Sequence, residues 1–341
     1  MATRRKIQQL AKRHGYKPNA ELAELMARTR ATGSTKYQAT LAYVDASYPR
    51  VRKHYALQAY RDSCREAAEK LGYRLDFFEI EDLETPPRAL ERVLASRGIR
   101  GIIFVWPSHV GIPESWKFLW NKRTCVFLAA RPKHPSLPFV KSDHFTAGEL
   151  CYQKAFAVGH RRIGVILDPR LDDISEGRFM GGILLQHHLL NPSFPLLTHE
   201  YESKAKASLL DYYRQTPPET AIKELDEGAK VSLLEWRAKW QPDCIITMKL
   251  ESMRMLKEGG IRIPGDVSLI HWDIEPLIYG VLAGPEAHPV PLAQAAIEQL
   301  VSQIYNGESS ESTTQKCVLV EPQWRDGPSL RRPVKSPSKE A

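Results

Sequence analysis

Three sets of side chains in this sequence stand out for their reactivity. The first is a run of cations near the start, Arg4, Arg5, Lys6, Lys12 and Arg13, on a segment whose Ile7, Leu10 and Ala11 recur at helical spacing. Cations presented by one helix suit phosphate contact, and solvated charged arms look the same. The second is His187-His188 on a predicted helix. Neighbouring helical residues point to different faces, so the two cannot chelate one metal together. The third is five cysteines, Cys64, Cys125, Cys151, Cys244 and Cys317, scattered and never spaced as a C-x-x-C pair. That usage points to reduced, mostly buried thiols and to neither a zinc site nor a disulfide framework. Catalytic signatures are missing from the sequence: it has no Walker-type phosphate loop, no G-x-G-x-x-G after a strand, no G-x-S-x-G elbow, no H-E-x-x-H and no EF-hand loop. The expectation is a protein that is not an enzyme and carries no metal or cofactor.

The elements that must position side chains follow from composition and pattern. The chain has 341 residues, enough for two domains at about 150 residues each. A hydrophobic fraction of 43% with 26% charged residues is that of a soluble globular protein. No apolar run is long enough to span a membrane, and no apolar stretch follows the basic start as in a secretory signal, so the expected location is cytoplasmic. The formal charge of +8 is uneven. Residues 1–36 hold nine Lys/Arg against two acids, and 325–341 hold five against two, which leaves 37–324 slightly acidic.

From Ala39 onward, strand-like runs alternate with amphipathic helices. Predicted strands are Thr40–Val44, Tyr73–Ile80, Gly101–Trp106, Thr124–Ala129, Ile163–Leu167, a run near 196–201, Cys244–Thr247, Val267–Trp272 and Cys317–Val320. Helical periodicity covers 53–71, 87–97, 145–158, 176–190, 219–240, 250–258 and 291–306. Apolar strands alternating with helices imply α/β architecture, two doubly wound parallel sheets covered on both faces, with ligands beyond the strand carboxyl ends. Residues 200–222 read as an irregular excursion and Ser329–Ala341 as a disordered tail.

Several segments, in this order, resemble the lactose-repressor-type (LacI/GalR) transcription regulators over nearly the whole chain. Gly15-Tyr16-Lys17-Pro18-Asn19 is similar to that family's hinge region, and Ala67–Tyr73 to its first core helix. Leu94–Ile103, Ser142-Asp143 with Gly159–Gly164, and Ile263–Ile270 are similar to later core segments. The resemblance implies a periplasmic-binding-protein-like core of two lobes, with the chain crossing between them three times. The first lobe would take 38–160 plus 291–311, and the second 161–290 plus 312–328. Residues 1–36 would be a partial helical DNA-binding headpiece and hinge helix, lacking the two helices that come first in the family. The implied partners are operator DNA, a small effector that is commonly a sugar, and a second copy of the chain in a homodimer. A receptor of the same fold without sequence-specific DNA binding is the alternative.

By the same resemblance, Asp143, Arg178 and Asp273 stand where the family places effector contacts. Asp143 would equally serve as a helix N-cap, and Arg178 as one end of a lobe-bridging ion pair. Asp273 needs a partner if buried, and Arg178 or a ligand hydroxyl would provide one. Trp106 and Trp272 sit at predicted strand ends facing the crevice, where an indole stacks on a sugar ring or packs in the core. Tyr16, Asn19, Arg4, Arg5 and Lys6 are the implied DNA contacts. Leu25 stands where the family wedges a leucine into the minor groove, or packs within the hinge. The chain departs from the family in His271-Trp272-Asp273-Ile274, and in Met248-Lys249 where Asn-Asp is usual.

Overall fold

Two of the runs that read as buried strands, GIIFV and TCVFL, are enclosed at every residue. A parallel sheet with helices on both faces demands this. The computed structural model describes residues 39–47, 52, 55–81, 88–106, 112–132, 137–200, 227–308 and 316–331. The implied DNA contacts Arg4, Arg5, Lys6, Tyr16, Asn19 and Leu25 lie outside the described residues.

The first lobe is a six-stranded parallel sheet. Its strands are β1 (Ala39–Asp45), β2 (Tyr73–Glu79), β3 (Gly101–Val105), β4 (Thr124–Leu128), β5 (Phe139–Ser142) and β11 (Cys317–Val320), in the spatial order β11-β5-β4-β3-β1-β2. The period of two sorts its side chains. Leu41, Tyr43, Ile103, Val105, Val126 and Leu128 face α1 (Tyr55–Lys70) and α9 (Pro289–Asn306). Ala42, Val44, Ile102, Phe104, Cys125 and Phe127 face α2 (Arg88–Ser96) and α3 (Phe118–Asn121).

The second lobe repeats this plan on four parallel strands. They are β6 (Ile163–Leu167), β7 (Leu197–Glu200), β8 (Cys244–Thr247) and β9 (Ser268–His271), in the order β7-β6-β8-β9. Ile166, Ile245 and Leu269 pack on α7 (Glu227–Trp240) and α8 (Glu251–Glu258). Val165, Ile246 and Ile270 pack on α4 (His144–Val158) and α6 (Arg178–Leu190), and α5 (Pro169–Ser175) precedes α6. A small antiparallel pair, β10 (Gly284–Glu286) with β12 (Gln323–Arg325), completes the lobe.

Several segments differ from expectation. Helix α4 packs on the second sheet rather than the first, because Ala147, Cys151, Tyr152 and Ala155 share a core with Ile163 and Val165. Strand β11 hydrogen-bonds to β5 in the first sheet, not in the second lobe. The chain therefore passes between lobes at 142–144, 286–289 and 320–323. The helix expected over 176–190 begins two residues later, as α6, because Glu176 and Gly177 both have left-handed backbone, and the unexpected short helix α5 comes before them. Residues 329–331 are bonded in place: Ser329 Oγ donates to Leu269 O at 2.6 Å, and Arg331 N donates to Ser268 Oγ at 3.1 Å. Four of the five cysteines are buried and Cys317 is exposed. Among the described residues no helix is long and apolar enough to cross a membrane, and no cluster of His, Cys, Asp and Glu suits a metal.

Candidate functional site

The carboxyl ends of β5, β6, β8 and β9, with the turn before α6, bring charged and aromatic side chains together where the chain first passes between lobes. Asp143 follows β5 and opens α4. Its Oδ1 accepts the Phe145 N–H at 3.1 Å and its Oδ2 accepts Thr146 Oγ1 at 3.0 Å, a helix N-cap. The same Oδ1 receives Arg178 Nη2 at 3.0 Å. Cap and ion pair thus coexist on one carboxylate. Burial would raise the Asp143 pKa, but the bonds from Arg178, Thr146 and the Phe145 N–H outweigh it and hold the carboxyl below its ordinary value. Arg178 is the first residue of α6 and keeps Nε buried without a protein partner.

Close approach of α4 and α6 fixes this pair. A Cβ on Gly148 would stand 2.1 Å from Phe179 O, and one on Gly182 would stand 2.1 Å from Phe145 O. The two glycines let the helix backbones touch, and the helix starts carrying Asp143 and Arg178 meet as a result.

Trp272 joins the second half of the site. Its indole lies between His144, at 5.5 Å and 22°, and Phe179, at 5.8 Å and 82°. Asp273 follows it and accepts the Ala287 N–H at 3.2 Å; Arg178 is paired with Asp143 instead. Burial pushes the Asp273 pKa up to about 7, the Ala287 N–H pulls against this, and Glu275 and Glu286 push with it. Tyr60 on α1 faces these acids from the first lobe: burial, then Asp273 and Glu275, raise its phenol above the usual value.

Trp106 is not part of this group. It is 4% exposed and packs against Phe104 at 5.5 Å and Trp116 at 5.4 Å, inside the first lobe's core. Its strand ends at the crevice, but its side chain turns under α2 and α3, where a cluster of aromatic rings excludes water.

Sequence reasoning passed over Lys141, Glu176, Arg131 and Asp168, and noted Lys249 only as a departure from the family pattern. Lys141 is 2% exposed and its Nζ lies 3.1 Å from Glu176 Oε2; Arg131 reaches the other oxygen at 3.6 Å. Lys249 Nζ lies 2.7 Å from Asp168 Oδ2, and Asp168 is 1% exposed. A lone lysine within the apolar run Phe139–Ser142 was the available signal. The Met248-Lys249 departure was another, since a cation there needs an acid, and Asp168 directly follows β6. The site offers hydrogen-bonding carboxylates, a guanidinium and a partly exposed indole. That set suits a polyhydroxylated ligand with an apolar ring face.

A family model described as a periplasmic binding protein-like domain matches residues 153–329. Among solved structures, a LacI-family regulatory protein from Chloroflexus aggregans is 18% identical with a TM-score of 0.62, covering 84% of this chain and 96% of that one. The transcriptional regulator CelR in complex with cellobiose is 15% identical with a TM-score of 0.61, covering 96% of this chain and 91% of that one. A LacI-family regulator from Enterococcus faecium with bound ribose is 15% identical with a TM-score of 0.57, covering 87% of this chain and 100% of that one. These likenesses establish the shared fold. No protein with a curated description matches the chain in sequence.

Proposed function

The chain belongs to the periplasmic binding protein-like domain family, and from that premise we propose a LacI-type transcriptional regulator whose two-lobed core binds a small carbohydrate and so controls operator affinity. One observation carries this reading: Trp272 stands beside the Asp143–Arg178 pair where the chain passes between lobes. An indole face stacks on the apolar side of a sugar ring, while a carboxylate and guanidinium take its hydroxyls. The bound cellobiose and ribose of two structural neighbours support the class of ligand. Asp143, Arg178, Trp272 and Asp273 are the proposed contacts. The protein binds and releases its ligand unchanged.

Operator affinity changes only if the ligand favours one lobe arrangement over another. The cations of residues 1–36 are the proposed phosphate contacts, in a homodimer acting on cytoplasmic DNA. The test has two arms on the full chain. Calorimetry against ribose, cellobiose and other mono- and disaccharides should find one that binds and loses affinity in Arg178→Ala. Selection from random duplexes should enrich a palindromic site whose affinity falls steeply with salt. Carbohydrate binding without any preferred duplex supports the alternative, a ligand receptor of the same fold. Failure to bind any carbohydrate overturns the effector assignment.

A further inference from the structure

The first passage between lobes is a ladder of two charged rungs with opposite polarity. Lys141 faces Glu176 at 3.1 Å, and Asp143, two residues on, faces Arg178 at 3.0 Å, also two residues on. A slip by two residues would set Lys141 against Arg178 or Asp143 against Glu176, like charges in a half-buried place. The alternation therefore fixes one register between the end of β5 and the start of α6.

Glu176 holds a costly position in this ladder. Its φ is 60°, a left-handed value that side-chain-bearing residues avoid, and Gly177 after it has φ 70°. What keeps it there is its carboxylate, reached by Lys141 Nζ at 3.1 Å and by Arg131 Nη1 at 3.6 Å. Both cations belong to the first lobe and Glu176 to the second. Lys141 is 2% exposed, so losing its counter-charge would strand a buried ammonium. Glu176 is tied from across the lobe boundary, and Arg178 begins its helix two residues later.

We propose that Glu176 is a positioning residue for the carbohydrate site: gripped by Lys141 and Arg131 of the first lobe, it sets the start of α6 so that Arg178 is presented to Asp143 and to a ligand beside Trp272. This rests on the reading of that crevice as the effector site. Lobe arrangement and ligand contact then share one short piece of backbone, and a change in either is felt by the other.

The test follows the Asp143 carboxyl by NMR titration in the ligand-free full chain. The groups facing it are Arg178, Thr146 and the Phe145 N–H, with Lys141 and His144 alongside. Glu176→Gln removes a nearby negative charge, which through space alone would lower the Asp143 midpoint. Loss of a well-placed Arg178 would raise it, so the two causes have opposite signs. The expected result is a rise of about half a pH unit or more. Glu176→Asp keeps the charge but shortens the reach, and gives the same rise if Glu176→Gln fails to fold. An unmoved or lowered midpoint overturns the positioning role. Ribose and cellobiose titrated into the same samples separate the two claims. A raised midpoint in a chain whose parent binds no carbohydrate counts against the effector reading, and leaves the control of Arg178 by Glu176 standing. Carbohydrate binding by the parent with an unmoved Asp143 overturns the positioning role alone.

Discussion

The imidazole of His144 lies face to face with the indole of Trp272, ring centroids 5.5 Å apart and planes 22° from parallel. Burial, with Lys141 and Arg178 close by, pulls the His144 pKa down to about 3 despite the opposing pull of Asp143. The ring is therefore neutral near pH 7, and stacks without the cost of burying a charge. Trp272→Ala removes this stack and the edge contact with Phe179. A fully buried tryptophan costs about 3–5 kcal/mol on truncation, and a partly exposed one about 2–3 kcal/mol. Urea unfolding measures that loss. Carbohydrate affinity should fall about tenfold or more in the same variant, with Trp272→Phe in between. Undiminished affinity in Trp272→Ala would remove the indole from the site.

Gly148→Ala tests whether the helix pair α4 and α6 sets the Asp143–Arg178 contact. The new methyl meets the carbonyl of Phe179 at 2.1 Å, and a backbone atom cannot swing aside as a flexible side chain would. The helices must separate, at a cost of about 1–3 kcal/mol or more. Gly181→Ala, on α6 beside Phe145 of α4, is the control, because its nearest neighbour is the Phe145 ring at 3.6 Å, an ordinary contact. Thermal unfolding should show a large drop for the first and a small change for the second. Equal effects would mean that the helix contact is easily reshaped.

Lys249→Met leaves Asp168 at the end of β6, 1% exposed, without the ammonium 2.7 Å away. Removing one partner of a buried pair costs about 3–5 kcal/mol, well above the 0–1 kcal/mol of a surface pair. Lys230→Met breaks the exposed pairs with Glu227 and Glu258 and supplies that comparison. Chemical denaturation of both variants reads the difference. A Lys249→Met protein as stable as the parent would show that water reaches Asp168 on small rearrangement.

The alternation of apolar strands and amphipathic helices was legible because each strand carries its own composition. The strand runs 101–106, 124–129, 163–167 and 244–247 all fall where expected. What sequence could not supply was the lobe to which a segment returns. The CVLV of β11 fits an edge of either sheet by pattern, and its pairing to β5 is decided by register across more than 170 residues of chain. The site shows the same division. Asp143 and Arg178 were visible as residues, with cap and ion pair as rival roles, and the structure gives one carboxylate both. Trp106 read the same as Trp272, since each follows a strand; Phe104 lies on that strand and shares its face, but the Trp116 ring that closes over Trp106 comes from a turn that a linear pattern does not place beside it. Glu176 was hidden because its backbone is left-handed without being glycine.

Asp273 should write its protonation into the stability of the whole protein. Burial raises its pKa, the Ala287 N–H lowers it, and Glu275 and Glu286 raise it, for a folded value of about 7. In the unfolded chain the same carboxyl titrates near ~3.9. Between those values the folded state holds a proton that the unfolded state has lost, so stability falls as pH rises from about 4 to about 7. The full penalty is present above about pH 7, and absent below about pH 4 where both states are protonated. At ~1.4 kcal/mol per unit the ceiling is about 4 kcal/mol, and solvent reaching the partly buried carboxyl lowers it. Asp273→Asn keeps the shape and the oxygen that accepts the Ala287 N–H, and does not ionise. It should be more stable than the parent at pH 8, with the advantage shrinking steadily toward pH 4. Urea midpoints across that range give the comparison directly. Parallel profiles for the two proteins would show that the Asp273 carboxylate is ionised in the fold without cost, and that burial beside Glu275 and Glu286 is relieved by water.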